Sequence, residues 1–233
     1  RLGGGNIFNA RYVNSQGYVL EGGSVESDGC GTLMTTAECL LSPNRNGGMT
    51  QAGIRLMLAQ KFGVTHQLWL HHGAMSGDDT DSHIDTLARL APGDTILYVG
   101  ARDSQGMIDE ELEAMREELA SFTTPAGQPY NLIELPLPDP IYDEDGMQLP
   151  ATYANYLVGP TALYMPVYGQ DMNDRRALDT VRIAYPQHEI IALDCRALIK
   201  QHGSLHCITM QLPSGSVAGI TSDGVWEPAL RNL

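Results

Sequence analysis

Read by its alternation of hydrophobic and polar positions, the chain is a succession of helical and extended pieces. Residues 51–62 are helical in pattern and 66–71 extended; 85–90 read as a short helix, 94–99 as a strand and 110–122 as a helix with acid-rich faces. Further on, 130–135 reads as a strand, 149–157 and 162–166 as extended pieces, 173–184 as a helix, 189–193 as a strand and 195–201 as a helix. Helix-then-strand units recur every roughly 40 to 60 residues, within the range where internal repeats are sought. The pattern sets an α/β class and, by itself, fits an ordinary doubly wound sheet as well as a repeated-unit architecture. The proline- and acid-rich stretch 136–146 reads as a long surface loop, either covering a pocket or simply connecting its neighbours.

Length changes this picture little: 233 residues can bury a substantial core as one domain. Charge changes it more. With 28 acidic against 14 basic residues the net charge is -14, which disfavours nucleic acid and suits a cationic substrate; an acidic surface also serves solubility alone. No apolar stretch reaches the length of a membrane span, and no charged-then-apolar leader opens the sequence. Cys30, Cys39, Cys195 and Cys207 lack C-x-x-C or zinc-type spacing, so reduced thiols and a cytoplasmic home are expected. His71-His72 has no second cluster near it in sequence and reads as a strand-end polar pair, so no metal is assigned. Gly3-Gly4-Gly5 lacks the strand-to-helix context of a phosphate loop and reads as a loop or a cut end. No cofactor is called for.

Three segments carry candidate chemistry. Gly203-Ser204-Leu205-His206-Cys207 sets a cysteine, flanked by an imidazole, on a flexible turn before an apolar β-type run. There a thiolate can be reached and tuned, although a lone cysteine equally fits a packed strand. Residues 78–85 crowd five ionisable side chains into eight positions. Asp79 and Asp81 fit helix capping there, which leaves His83 and Asp85 unexplained; in an extended segment those two share a face and can meet one ligand atom. Glu21 abuts Gly22-Gly23, where glycines admit a ligand or another backbone; a hairpin corner is the plain alternative. Together they supply a soft nucleophile, an acid/base and two anions, the parts needed to attack the carbon of a bound cation.

Glu21-Gly22-Gly23-Ser24, Thr80-Asp81-Ser82-His83-Ile84-Asp85-x-x-Ala88-Arg89 and His206-Cys207-Ile208-Thr209-x-Gln211 resemble, in order and context, the agmatine deiminase family, also called the Porphyromonas-type peptidylarginine deiminase family. Leu33-Met34-Thr35-Thr36 through Asn44-Arg45-Asn46, 150–157, and Val167-Tyr168-Gly169 through 173–178 extend the likeness over nearly the whole chain. The resemblance implies a pentein α/β-propeller of αββαβ units around a polar pocket, with 1–233 a single pentein catalytic domain. It implies that Cys207 attacks a guanidinium carbon, that His83 is the general acid/base, and that Glu21 and Asp85 hold the guanidinium, with Asn155 near the substrate. The implied partner is a small cationic guanidino compound, agmatine first, giving N-carbamoylputrescine and ammonia. A peptidylarginine or arginine substrate, or a non-catalytic guanidinium-binding pentein, are the alternatives. Homo-oligomerisation is left open.

Several positions depart from the family pattern. The nucleophile loop, usually a run of glycines, reads Lys200-Gln201-His202-Gly203-Ser204, and Ser82 stands where glycine is common. Relatives also carry an early Trp-x-Arg-Asp-x-Gly-Pro type segment that nothing here matches, while 2–12 reads as the tail of a helix preceding a strand with Glu21. The expectation is an N-terminally incomplete domain of about four of five blades, lacking on the order of 100 residues.

Overall fold

The structure, a computed structural model, describes residues 14–212. Val19–Ile208 form one compact unit; the described residues outside it, 14–18 and 209–212, belong to a second. The expected helix tail at 2–12 and the triple glycine lie outside the described residues, apart from the segment's neighbours at 14 and beyond.

Within Val19–Ile208 one module recurs three times: two antiparallel strands, a helix, and a third strand parallel to the second. The first comprises β1 (Val25–Ser27), β2 (Thr32–Thr36), the short α1 (Ala37–Leu40) and α2 (Pro43–Asn46), α3 (Gln51–Phe62) and β3 (His66–Leu70). The second is β4 (Ala88–Ala91), β5 (Thr95–Val99), α4 (Glu110–Ser121) and β6 (Asn131–Leu135). The third is β7 (Leu157–Val158), β8 (Ala162–Val167), α5 (Asp171–Ala184) and β9 (Glu189–Asp194). A parallel return needs a crossover, and α3, α4 and α5 supply it.

Local sequence explains these helices. Thr50 caps α3 by accepting from Gly53 N, and Gly63 ends it in the left-handed region at φ 68°, where a side chain is disfavoured. Asp109 caps α4 by accepting from Leu112 N, and Glu110, Glu111 and Glu113 suit the positive end of its dipole. Leu112, Met115 and Leu119 then recur at three and four residues and bury one face. Every residue of β2 and of β5 is buried, as middle strands covered on both faces should be. One core gathers Met34, Leu68, Ile84, Leu87, Ile96 and Met115; another gathers Tyr153, Tyr156, Leu163, Met165, Val181 and Ile199.

The α/β class holds, and 51–62, 94–99, 110–122, 130–135 and 189–193 fall within two residues of observed elements. Four expectations fail, three of them for physical reasons. Residues 85–90 are not a helix but the end of a 3-10 turn (Ile84–Thr86) running into β4. Apolar residues at 84, 87 and 88 mimic helical spacing, yet the segment from Ile84 to Leu90 is buried throughout, and a fully buried strand has no alternation to read. The stretch 149–157 pairs only at its last residue; the rest is buried irregular backbone, with Thr152, Ala154 and Tyr156 bonding to the side chains of Tyr168 and Arg89. The helix at 195–201 shrinks to a 3-10 turn (Ile199–Gln201), since Leu198, Gln201 and His202 bond three residues back, to Cys195, Leu198 and Ile199. No described residue from 209 to 212 forms the β-type run expected after Cys207.

Candidate active site

The three modules place chemistry at equivalent points. Glu21, Asp85 and Asn155 each lie just before the first strand of a module, four, three and two residues ahead of β1, β4 and β7. A 3-10 turn, Gly22–Ser24 or Ile84–Thr86, leads into the first strand of the first two modules, the second standing where a short helix was expected. Cys207 lies in the next such turn, His206–Ile208, after the third module. The fold therefore gathers residues that are far apart in the chain by repeating one gesture.

Asp85 is fully buried at the centre of this group. Its Oδ2 accepts from His206 Nδ1 at 2.8 Å and lies 3.9 Å from Cys207 Sγ. Its Oδ1 is buried without a hydrogen-bond partner, a costly state for a carboxylate oxygen unless a ligand completes it. Asp85 and His83 do not share a strand face, since His83 precedes the turn that contains Asp85. They meet nonetheless over Gly23: a Cβ built there would lie 2.7 Å from His83 Nδ1 and 2.9 Å from each Asp85 carboxylate oxygen. Only glycine lets the first module come this close.

His83 Nε2 is 2.6 Å from Glu21 Oε2, which also accepts from Arg45 Nε at 2.8 Å. Burial raises the Glu21 pKa, but the bonds from His83 and Arg45 and the nearby guanidinium charge outweigh it, holding the carboxyl below its ordinary range. Arg45 reaches further, to Asp81 Oδ2 at 2.6 Å and the Thr80 carbonyl at 2.8 Å, and so pins the loop that carries His83. Asp81 is thus an ion-pair partner and not a helix cap. The loop turns through Asp81 and Ser82 at φ 58° and 59°, left-handed backbone that glycine adopts more readily than serine.

Asn155, fully buried, accepts from the backbone N–H groups of His206 (2.8 Å) and Cys207 (3.3 Å), and its Nδ2 lies 3.3 Å from the Cys207 sulfur. It touches the nucleophile candidate directly. The Cys207 residue as a whole is exposed, while its sulfur faces Asn155 and Asp85; burial first, then the Asp85 charge, push the thiol pKa up. Gly203 makes room beside it, because an added Cβ would sit 3.1 Å from Cys207 Cβ. Behind the loop runs a buried chain: Ser204 Oγ to Tyr168 Oη (2.8 Å), Tyr168 Oη to the Thr152 carbonyl (2.8 Å), and Thr152 Oγ1 to the Thr86 carbonyl (2.7 Å). This chain ties the cysteine loop to the turn of Asp85.

All five residues singled out from sequence therefore fall within one connected network. What sequence reasoning missed is its frame: Arg45, Thr36, Tyr168, Thr152 and Arg89. Thr36 Oγ1 donates to the Ser82 carbonyl at 2.8 Å, and Arg89 donates to the carbonyls of Ala154 and Tyr156 on either side of Asn155. All five lay within the matched segments, yet no local pattern marked their partners. His71 and His72, at the end of β3, bond to Glu118 and Glu111 of α4, as suits a polar pair at a strand end.

Comparison with known proteins shows what the chain is similar to. The profile of the Porphyromonas-type peptidyl-arginine deiminase family matches residues 5–213. A Yersinia pestis protein provisionally described as an agmatine deiminase is 34% identical over 223 residues, covering 88% of this chain and 60% of the relative. A Porphyromonas gingivalis structure provisionally described as an arginine deiminase is 48% identical with a TM-score of 0.81, covering 86% of this chain and 58% of that one. A cysteine-to-serine variant of C. jejuni agmatine deiminase, solved with substrate bound, is 39% identical with a TM-score of 0.74, covering 82% and 55%. These neighbours are pentein-fold deiminases. The chain spans about three fifths of the length of the curated relatives it matches. By profile, identity and architecture, it belongs to the Porphyromonas-type peptidyl-arginine deiminase family.

Proposed function

We propose that the chain is the catalytic pentein domain of a deiminase that hydrolyses a guanidino group to a urea and ammonia, with agmatine as substrate and N-carbamoylputrescine as product. The repeated modules are read as blades of its propeller. The observation that carries the proposal is the unpartnered, buried Oδ1 of Asp85 beside the Cys207 sulfur. A guanidinium is planar, always charged at neutral pH and rich in donors, so carboxylates bind its edge and leave its face open to sulfur.

In this reading Glu21 and Asp85 hold the guanidinium, and the Cys207 thiolate attacks its carbon to form a C–S bond and a tetrahedral adduct. His83 gives a proton to the departing nitrogen, the C–N bond breaks, and ammonia leaves an amidino-cysteine. His83 then takes a proton from water, whose oxygen adds to the same carbon; the C–S bond breaks and the urea is released with the thiol restored. The Asp85 charge opposes thiolate formation in the free protein, and a bound cation offsets it, so the substrate favours its own nucleophile. The name of the C. jejuni relative, a cysteine-to-serine variant with substrate bound, supports the nucleophile. The four free thiols fit a cytoplasmic setting, and among the described residues no helix is long and apolar enough to cross a membrane.

The test is ammonia release by the full-length protein from agmatine, arginine and a peptide with C-terminal arginine, with intact-mass analysis of wild type and Cys207→Ala. Agmatine turnover with a Cys207-dependent amidino adduct is the expected result. Release from the peptide alone moves the substrate to the peptidylarginine class, and binding with no adduct overturns catalysis.

A further inference from the structure

Cys39 has no part in the reaction above, yet it lies beneath the site. It is fully buried in α1, and no described residue hydrogen-bonds to its sulfur. One ligand atom each from Glu21, Cys39 and His83 lie within 4.8 Å of one another. We propose that these three residues form a site for a divalent cation of the zinc class, whose occupation inhibits the protein.

The donor set chooses the cation. A thiolate, an imidazole and a carboxylate suit zinc or cobalt(II), whereas magnesium and calcium prefer all-oxygen shells. With Zn–S near 2.3 Å and Zn–N near 2.0 Å, tetrahedral ligand atoms stand roughly 3.5 Å apart. Glu21, the most exposed of the three at 41% for its side chain, is the ligand free to turn, and turning it opens its 2.6 Å contact with His83 toward that spacing.

The frame is already held. Thr36 caps Cys39 N and bonds through its hydroxyl to the Ser82 carbonyl, tying the cysteine to the loop of His83. Asn46 exchanges two 3.0 Å bonds with the backbone of Val19, tying the segment of Glu21 to α2. Without metal, burial pushes the Cys39 thiol up to about 12, so it is protonated and unreactive. Binding exchanges that proton for a metal–sulfur bond, releases the proton to solvent and opens the 2.6 Å bond between His83 and Glu21.

Inhibition, which rests on the deiminase reading, follows because the metal takes the acid/base and one guanidinium carboxylate. Binding itself does not depend on that reading. Arg45, on Glu21 Oε2, opposes the added charge and sets the affinity below that of a closed structural site.

The full-length protein titrated with cobalt(II) should show a thiolate-to-cobalt charge-transfer band in the near ultraviolet. It should persist in Cys207→Ala and vanish in Cys39→Ser, with unchanged circular dichroism confirming the fold. Should Cys39→Ser not fold, Glu21→Gln and His83→Asn serve instead, each weakening cobalt affinity about tenfold or more. No band, a band that survives Cys39→Ser, one lost only in Cys207→Ala, or unchanged affinity in both Glu21→Gln and His83→Asn overturns the site. Where agmatine turnover is present, zinc should inhibit it competitively, with at least about tenfold less potency in Cys39→Ser. A cobalt band without any turnover would keep the metal site and reject the deiminase reading.

Discussion

Gly23 concentrates the logic of the site in one missing methyl group. Because a Cβ there would press on His83 Nδ1 and both oxygens of Asp85, Gly23→Ala should displace His83 and Asp85 together. The expected loss in kcat/KM is on the order of 10²-fold, as misplacement by about an ångström commonly produces; steady-state kinetics beside a thermal melt would show activity falling far more than stability. Cys207 makes a second prediction. Its folded thiol titrates above the ordinary 9.0, so the alkylation rate with iodoacetamide should still be climbing at pH 9. Asp85→Asn removes a charge that raises the thiol, and should move that profile to lower pH. A rate that levels off well below pH 9 in the wild type contradicts the burial and charge assigned to Cys207.

The elements are joined by a buried ion pair. Arg89, in β4, donates to Glu26 of β1 at 3.0 Å, lies over the ring of Tyr156 with its guanidinium carbon 4.5 Å from the centroid, and binds the carbonyls flanking Asn155. Burial opposes its charge, but Glu26 and the neighbouring acids more than offset this and hold its pKa raised. Arg89→Met leaves Glu26 buried without its partner, so unfolding in urea should reveal a loss of about 3–5 kcal/mol. The cap of α4 is an independent and milder case: Asp109→Ala should cost about 1 kcal/mol in the same assay, with kinetics untouched.

For the whole molecule, charge is the governing property. A net charge of -14 attracts cations over several ångströms, an effect that salt screens. For a cationic guanidino substrate, kcat/KM should fall as ionic strength rises, with the larger change in KM. An uncharged analogue processed at the same site should show little dependence, and equal salt dependence for both would remove steering from the account.

Local regularity and burial divide what could be read early from what could not. Helices α3 and α4 carry their own caps and apolar stripes, so their bounds were legible from short-range pattern. Strand β4 and the stretch 149–156 were not, since buried segments lose the alternation that distinguishes them, and their bonds run to residues more than sixty positions away. The same division holds in the site: Cys207, His83, Asp85 and Glu21 were visible because thiol, imidazole and carboxylate chemistry is written in residue type, whereas Asn155 came only through the family resemblance. Sequence alone thus determined the residue types that carry chemistry, the long helices α3, α4 and α5, and the family likeness. Only the tertiary structure decided that three equivalent turns converge on one carboxylate, that Gly23 must be bare, and that Cys39 lies within reach of Glu21 and His83. Those facts depend on distances between modules, which no local pattern encodes.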